Sequence, residues 1–280
     1  MRERARRWIF VGMALALSLP IVWPRELQVE PSPRTRAFHA RIAALPKRSR
    51  VLLSIDYDPV AHPELDPFAR ALLRHLQRRQ ARLVFITLHR LALPNVEALV
   101  AELALSSPDA LEGQDYASLG FKEGAEIAIA AMGQSFSRVW GRDARGRSTD
   151  ALPILRGVRT LADFDQVIAL GGSYPGPREY VEQVVTRHQL PFLAATTSME
   201  LPELLPYYPG QIQGLVGGTR GAAEYEALIG RPAEATRLLG AIDIGEAYLV
   251  SLLLLAMLLG ILERRRRQPP AGSGSPSEPG

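Results

Sequence analysis

The sequence predicts a three-layer α/β domain with a mainly parallel sheet, flanked by an N-terminal and a C-terminal transmembrane helix. Three observations carry that reading. Short, continuously apolar runs recur down the chain, each followed by a helical pattern, as strands buried on both faces require. Residues 247–262 (AYLVSLLLLAMLLGIL) are almost wholly apolar and run into Glu263 and four consecutive arginines, 264–267. A second apolar stretch, 8–23, follows the basic head MRERARR at 1–7.

Extended back to Ile244, the C-terminal stretch reaches Leu262 with Glu246 as its one charge. At 1.5 Å per residue its length matches a hydrocarbon core of about 30 Å. The arginines place its far end in the cytoplasm. The N-terminal stretch carries Trp8 and Trp23 at its ends, and Pro20 is expected to bend or end the helix. It reads as a transmembrane helix or uncleaved signal anchor in preference to a cleaved signal peptide, because Ala14-Leu15-Ala16 lies inside the apolar run and no clean small-x-small site follows it before Pro24. Both basic flanks predict one topology, with both ends in the cytoplasm and the domain outside it. Residues 24–50, with four prolines and a helical patch near 36–45, read as a stalk. Residues 51–240 form the extracytoplasmic domain, 244–262 the second span and 263–280 a disordered cytoplasmic tail.

Composition narrows the chemistry. The 280 residues include no cysteine, which excludes disulfides, thiolate nucleophiles and thiolate metal sites. Eight of the 33 basic residues lie in the two flanks, leaving 25 basic against 26 acidic residues in 8–262. The net charge of +4 therefore belongs to the membrane flanks, and no nucleic-acid partner is expected.

Within the domain, strands are expected at 51–55, 83–88, 116–121, 165–170 and 191–195, about five in all. Asp66-Pro67 reads as a helix start, a capping Asp before a proline, with Phe68, Leu72, Leu73 and Leu76 on one face. Asn95 is expected to cap a helix over 95–105, and further helices are expected at 125–132, 178–188 and 222–228. Residues 141–149 (GRDARGRST) read as a surface loop and 230–240 as a linker to the anchor. The spacing of residues does not fix the order of the strands.

In an open parallel sheet, ligands bind beyond the carboxyl ends of the strands. Asp56 and Asp58, His89, Ser173, and Thr196, Thr197 and Ser198 all follow predicted strands and are the candidate ligand-binding residues. Two carboxylates, an imidazole and several hydroxyls could hold a hard cation, serve acid–base hydrolysis or bind a small ligand without chemistry. The competing assignment is turn and cap chemistry, common to all α/β proteins. Gly217, Gly218 and Arg220, at the start of a helix, are candidate anion-binding residues, although the passage matches neither phosphate-loop pattern. The five histidines show no ligand spacing, so no metal is expected, and no cofactor is implied. The small, nearly uncharged stretch 124–133 (GAEIAIAAMG) reads as a tightly packed core helix.

The motifs SIDYDP (54–59), LGF-K-G (119–124), MGQ (132–134) and GGTRGAAEYE (217–226) resemble those of an uncharacterised family of prokaryotic membrane proteins. Members of that family hold one α/β, Rossmann-like domain between two transmembrane helices. The resemblance implies that architecture and carries no catalytic residues. The opening βαβ unit is also broadly similar to the Rossmann-like domains of auxiliary proteins linked to ABC exporters, a likeness of fold alone. Two anchors on one domain suit lateral contacts, so the expected role is a non-enzymatic accessory or scaffold subunit. Its partners would be the lipid bilayer and other membrane proteins. The alternative is an extracytoplasmic hydrolase or small-ligand sensor built on Asp56 and Asp58.

Overall fold

The computed structural model describes residues 2–22 and 29–267; the expectations placed on 23–28 and on the tail 268–280 lie outside them. The chain divides into two compact units. One is Met1–Arg25 with Gly240–Gly280, and the other is Glu26–Leu239.

In the first unit, α1 (Arg2–Val22) continues through Pro20 instead of ending there. Its shorter apolar part, Arg7–Ala16, is not long enough by itself to cross a bilayer. The Tyr248 hydroxyl donates to the Ile9 carbonyl at 3.1 Å and lies against Gly12, which leaves no room for a Cβ.

The Glu26–Leu239 unit is a Rossmann-like α/β domain. Its sheet has six strands, all parallel, in the order β3-β2-β1-β4-β5-β6. In chain order the elements are α2 (Pro33–Ala43), β1 (Arg50–Asp56), α3 (His62–Arg78), β2 (Arg82–Thr87), α4 (Leu93–Ser106), β3 (Tyr116–Phe121), α5 (Ala125–Gln134) and α6 (Phe136–Val139). Then come β4 (Gln166–Gly171), α7 (Pro177–Tyr180), a π-helical turn (Val181–Val185) and α8 (Thr186–His188). The unit closes with β5 (Phe192–Thr196), α9 (Leu201–Leu204), β6 (Leu215–Gly217) and α10 (Gly218–Leu228). The last helix, α11 (Glu234–Arg267), starts in this unit and ends in the other.

Alternation along the strands divides the core in two. Val51, Leu53 and Ile55 of β1 pack with α2, α3, α4, α10 and the first residues of α11. Leu52 of β1, with Val84 and Ile86 of β2, packs with α5, α6, α7 and the π turn. Gly133 lies against Val184 and His188, so one face of α5 is closely packed, as 124–133 leads one to expect.

Several boundaries differ from the sequence expectation, each for a tertiary reason. Residues 33–43 are not a spacer, because Phe38 and Ile42 of α2 are fully buried in the core. The sixth strand, β6, is three residues long and begins beside Gly214, where a Cβ would lie 2.4 Å from the Phe38 Cα of α2. Helix α3 starts at His62, not Asp66, because the Asp58 carboxylate accepts the amides of Val60 and Ala61 and turns the chain early. Asp66 is buried and accepts from the Tyr57 hydroxyl (3.1 Å) and Arg70 Nε (2.6 Å). Asn95 caps nothing; α4 starts at Leu93 and the Asn95 amide donates to the Tyr57 carbonyl at 2.8 Å. The loop expected at 141–149 is present, and it is held by buried Asp143, which accepts from the amides of Arg145 and Arg147, while Ala144 N donates to Ser118 O of edge strand β3. The expected linker 230–240 is helical from Glu234, and α10 starts at Gly218 instead of Ala222.

Among the described residues one helix, counted over Glu234–Leu258, is long and apolar enough to cross a membrane, and little of that stretch is buried. Leu253, Leu254, Leu255 and Met257 are all more than half exposed, so the apolar surface runs around the helix.

Candidate functional site

The strand order reverses between β1 and β4, so the topological switch point lies between the β1–α3 and β4–α7 connections. Asp56 and Asp58 stand on one side of it and Ser173 on the other. The segments carrying His89 and Thr196–Ser198 flank them on β2 and β5.

Asp56 is fully buried. Its carboxylate accepts from the Leu88 amide at 2.6 Å, from the Thr87 hydroxyl at 3.2 Å and from the Ser54 hydroxyl. Ser54 in turn accepts from the buried Tyr180 hydroxyl at 2.8 Å. A polar chain thus runs from α7 through β1 to the end of β2. Burial raises the Asp56 carboxyl to about 6, against the pull of its Ser54, Leu88 and Thr87 donors. Asp58 lies beyond the strand end. It accepts from Val60 and Ala61 and serves the turn.

The crevice itself is closed. A Cβ on Gly172 would lie 2.5 Å from Ala61 Cβ and 2.9 Å from Thr197 Cγ2, so the β1, β4 and β5 connections touch there. Thr196 donates to Glu200 at 3.4 Å and Thr197 accepts the Glu200 amide at 3.4 Å. Ser198 gives both its amide (2.8 Å) and its hydroxyl (2.7 Å) to Glu64. The His89 amide donates to Thr87 at 3.1 Å, while its ring Nδ1 is enclosed without a partner.

The glycines do not form an anion cradle around Arg220. Gly217 packs against Leu201, and Gly218, at φ +60, sits against Ser198 and the Glu64 carboxylate. The place an anion would take at the start of α10 therefore faces a carboxylate of the chain itself. Arg220 is exposed and lies 3.8 Å from Glu224.

The same motif has a different product. Buried Glu224 accepts the Ser32 amide (3.1 Å), the Ser32 hydroxyl (2.6 Å) and the Thr35 hydroxyl (2.7 Å) at the start of α2. The Tyr225 hydroxyl meets His75 Nδ1 of α3 at 2.8 Å, and its ring packs edge-on against Phe38 and Phe68. Fully buried Glu226 accepts the amides of Ala233 (2.8 Å), Ala235 (3.0 Å) and Thr236 (3.0 Å), plus the Thr236 hydroxyl (2.7 Å), at the start of α11. Three consecutive residues of α10 thus hold three other helices.

A small cavity of about 200 Å³ lies beyond β4 and β5, lined by Ser173, Tyr174, Arg178, Glu179, Glu200 and Glu203. Burial, then the Glu203 charge, raises the Glu200 carboxyl above its ordinary range. Arg178 pairs with Glu182 (2.8 Å) and Glu203 (3.4 Å). Among the described residues, no three His, Asp or Glu side chains converge as metal ligands. Sequence reasoning did not find Ser54, Thr87, Tyr180 or Glu64, which carry much of this network. Tyr180 and Ser54 are 126 positions apart, and no local pattern joins them.

No protein-family model and no curated protein sequence matches the chain. Among solved structures it is similar to two trehalose-phosphate synthases (UDP-forming). For the Burkholderia xenovorans enzyme, in complex with glucose-6-phosphate, identity is 13%, with 83% of this chain and 44% of that one covered and a TM-score of 0.28. For the Burkholderia vietnamiensis enzyme the values are 12%, 92%, 51% and 0.29. The chain spans about half the length of these enzymes. A short-chain dehydrogenase/reductase from Brucella melitensis is 12% identical over 65% of this chain and 88% of its own, with a TM-score of 0.25.

Proposed function

We propose that the chain is a membrane-anchored, non-enzymatic accessory or scaffold subunit of a larger membrane complex. The observation that carries this reading is the closed switch point. Asp56 is sealed among its donors, Asp58 is spent on a turn, and Gly172 lies against Ala61 and Thr197. A reaction centre needs polar groups free to meet a substrate, and these are engaged with their own fold.

In this reading α11 crosses the bilayer with Arg264–Arg267 on the cytoplasmic side, α1 is a second anchor, and the domain lies outside the cytoplasm. The absence of cysteine makes the test clean. Single cysteines at exposed Ser148 (Ser148→Cys) and in the tail (Ser275→Cys) are treated in whole cells with a membrane-impermeant maleimide. Labelling at 148 and not at 275 is the expected result. Labelling at 275 alone reverses the topology.

A second reading, a small-ligand sensor or hydrolase, is favoured by the cavity beside Ser173 and Glu200. Asp58→Ala with Glu200→Gln separates the two. An accessory subunit keeps its partners in co-purification, whereas a sensor or enzyme loses its cellular effect with the fold intact.

A further inference from the structure

The carboxyl end of the sheet carries exposed apolar side chains as well as polar ones. Taken in spatial order, the segments that follow β3, β2, β1, β4 and β5 (after β3, the first turn of α5) each expose one large apolar side chain. These are Ile127 (75% exposed), Leu91 (59%), Val60 (86%), Tyr174 (59%) and Met199 (88%). At about 4.8 Å per strand the five connections span a row of roughly 19 Å. Isolated exposed apolar residues need no explanation, but a row across five adjacent strands at one end of a domain does.

The surrounding charge narrows what covers it. Glu123 and Glu126 lie beside Ile127, and Glu179, Glu200 and Glu203 lie beside Tyr174 and Met199. Against these five stand Arg178, already paired with Glu203; Arg90, stacked 5.1 Å from the Phe121 ring centre; exposed Lys122; and exposed Arg220 at the start of α10, 3.8 Å from Glu224. The rim is net acidic. A second copy would bring two such faces together, and a bilayer with anionic headgroups would be repelled.

We propose that this row is a docking surface for a protein partner that presents apolar side chains among an excess of lysine and arginine. The proposal rests on the reading of the chain as a subunit of a larger complex. Apolar burial would supply the affinity, and the acidic rim would select the partner and its orientation.

The experiment places a photo-crosslinking amino acid at Val60 or Met199 in the full chain, in its own cells, and at Leu254 of α11 for comparison. The expected result is that 60 and 199 link to one protein, through a peptide that is apolar and rich in Lys or Arg. Charge reversal by Glu200→Lys with Glu203→Lys, or separately by the exposed pair Glu123→Lys with Glu126→Lys, should cut that adduct about tenfold. The Leu254 adduct should not change. Linkage of the row to lipid or to a second copy overturns the proposal, as does an adduct insensitive to both reversals. A protein adduct at 254 with none at 60 or 199 leaves the subunit reading standing and removes the docking row. No protein adduct at any of the three positions removes both.

Discussion

Glu226 accepts both the hydroxyl (2.7 Å) and the amide (3.0 Å) of Thr236, ten residues ahead of it and across a change of helix. With Ala233 and Ala235 also donating, one buried carboxylate takes up the amides that the first turn of α11 would otherwise leave unpaired. The helix that is apolar enough to cross a membrane is therefore capped from inside the α/β domain. Glu226→Ala should destabilise the domain by about 3 kcal/mol, since several buried donors lose their acceptor, and Glu226→Gln by about 1 kcal/mol. Chemical denaturation of the full chain measures both. Equal, near-zero losses would show that water serves the cap equally well.

Asp56 should give stability an acid-side component. Its folded carboxyl is raised to about 6 from 3.8, so the folded state binds more protons between those values. That contribution is fully present below about 4 and is lost as pH rises through 6. Between pH 4 and 7.5 the parent should lose up to about 3 kcal/mol relative to Asp56→Asn. Parallel stability curves for the two proteins would contradict this.

His75 should act in the opposite sense. Burial, then the charges of His39, Arg78 and Arg79, lower its imidazole to about 4. The unfolded state therefore takes up the proton first, and stability present above 6.5 is lost as pH falls through 4. After allowance for partial solvent access the loss is about 2 kcal/mol. Titration of His75 followed by nuclear magnetic resonance gives the direct check, and an ordinary midpoint near 6.5 would rule the effect out.

Gly214 is required by the approach of α2. A Cβ there would collide with the main chain of Phe38, which cannot move aside as a side-chain end can. Gly214→Ala should cost roughly 3 kcal/mol or prevent folding, while Gly141→Ala, where a Cβ meets nothing within 4 Å, should cost less than about 1 kcal/mol. Similar stabilities for the two variants would mean that α2 is free to shift.

Hydrophobic periodicity is a local property, and it made most of the strands legible. β3 at Tyr116–Phe121 coincides with its predicted range, and β1, β2, β4 and β5 differ by a residue or two. β6 escaped because three residues carry no period, and its pairing is with β5 and its neighbour is α2. The helix starts at Asp66 and Asn95 were misplaced for a related reason. Both residues have capping chemistry, but Tyr57 and Arg70 claim one and the Tyr57 carbonyl claims the other.

The sequence alone determined the α/β class, the apolar helix ending in Arg264–Arg267, the absence of thiol chemistry and the near-neutral middle of the chain. These follow from composition and from periods of two and 3.6 residues, which need no knowledge of what lies across the fold. Only the tertiary structure decided the strand order, the closure of the switch point and the use of Glu224, Tyr225 and Glu226. A carboxylate or a glycine has the same spelling whether it binds a ligand, caps a helix or admits a neighbouring backbone. The choice among these depends on residues 126 positions away in the case of Ser54 and Tyr180, and 192 in the case of Ser32 and Glu224. Those partners meet only when the chain has folded.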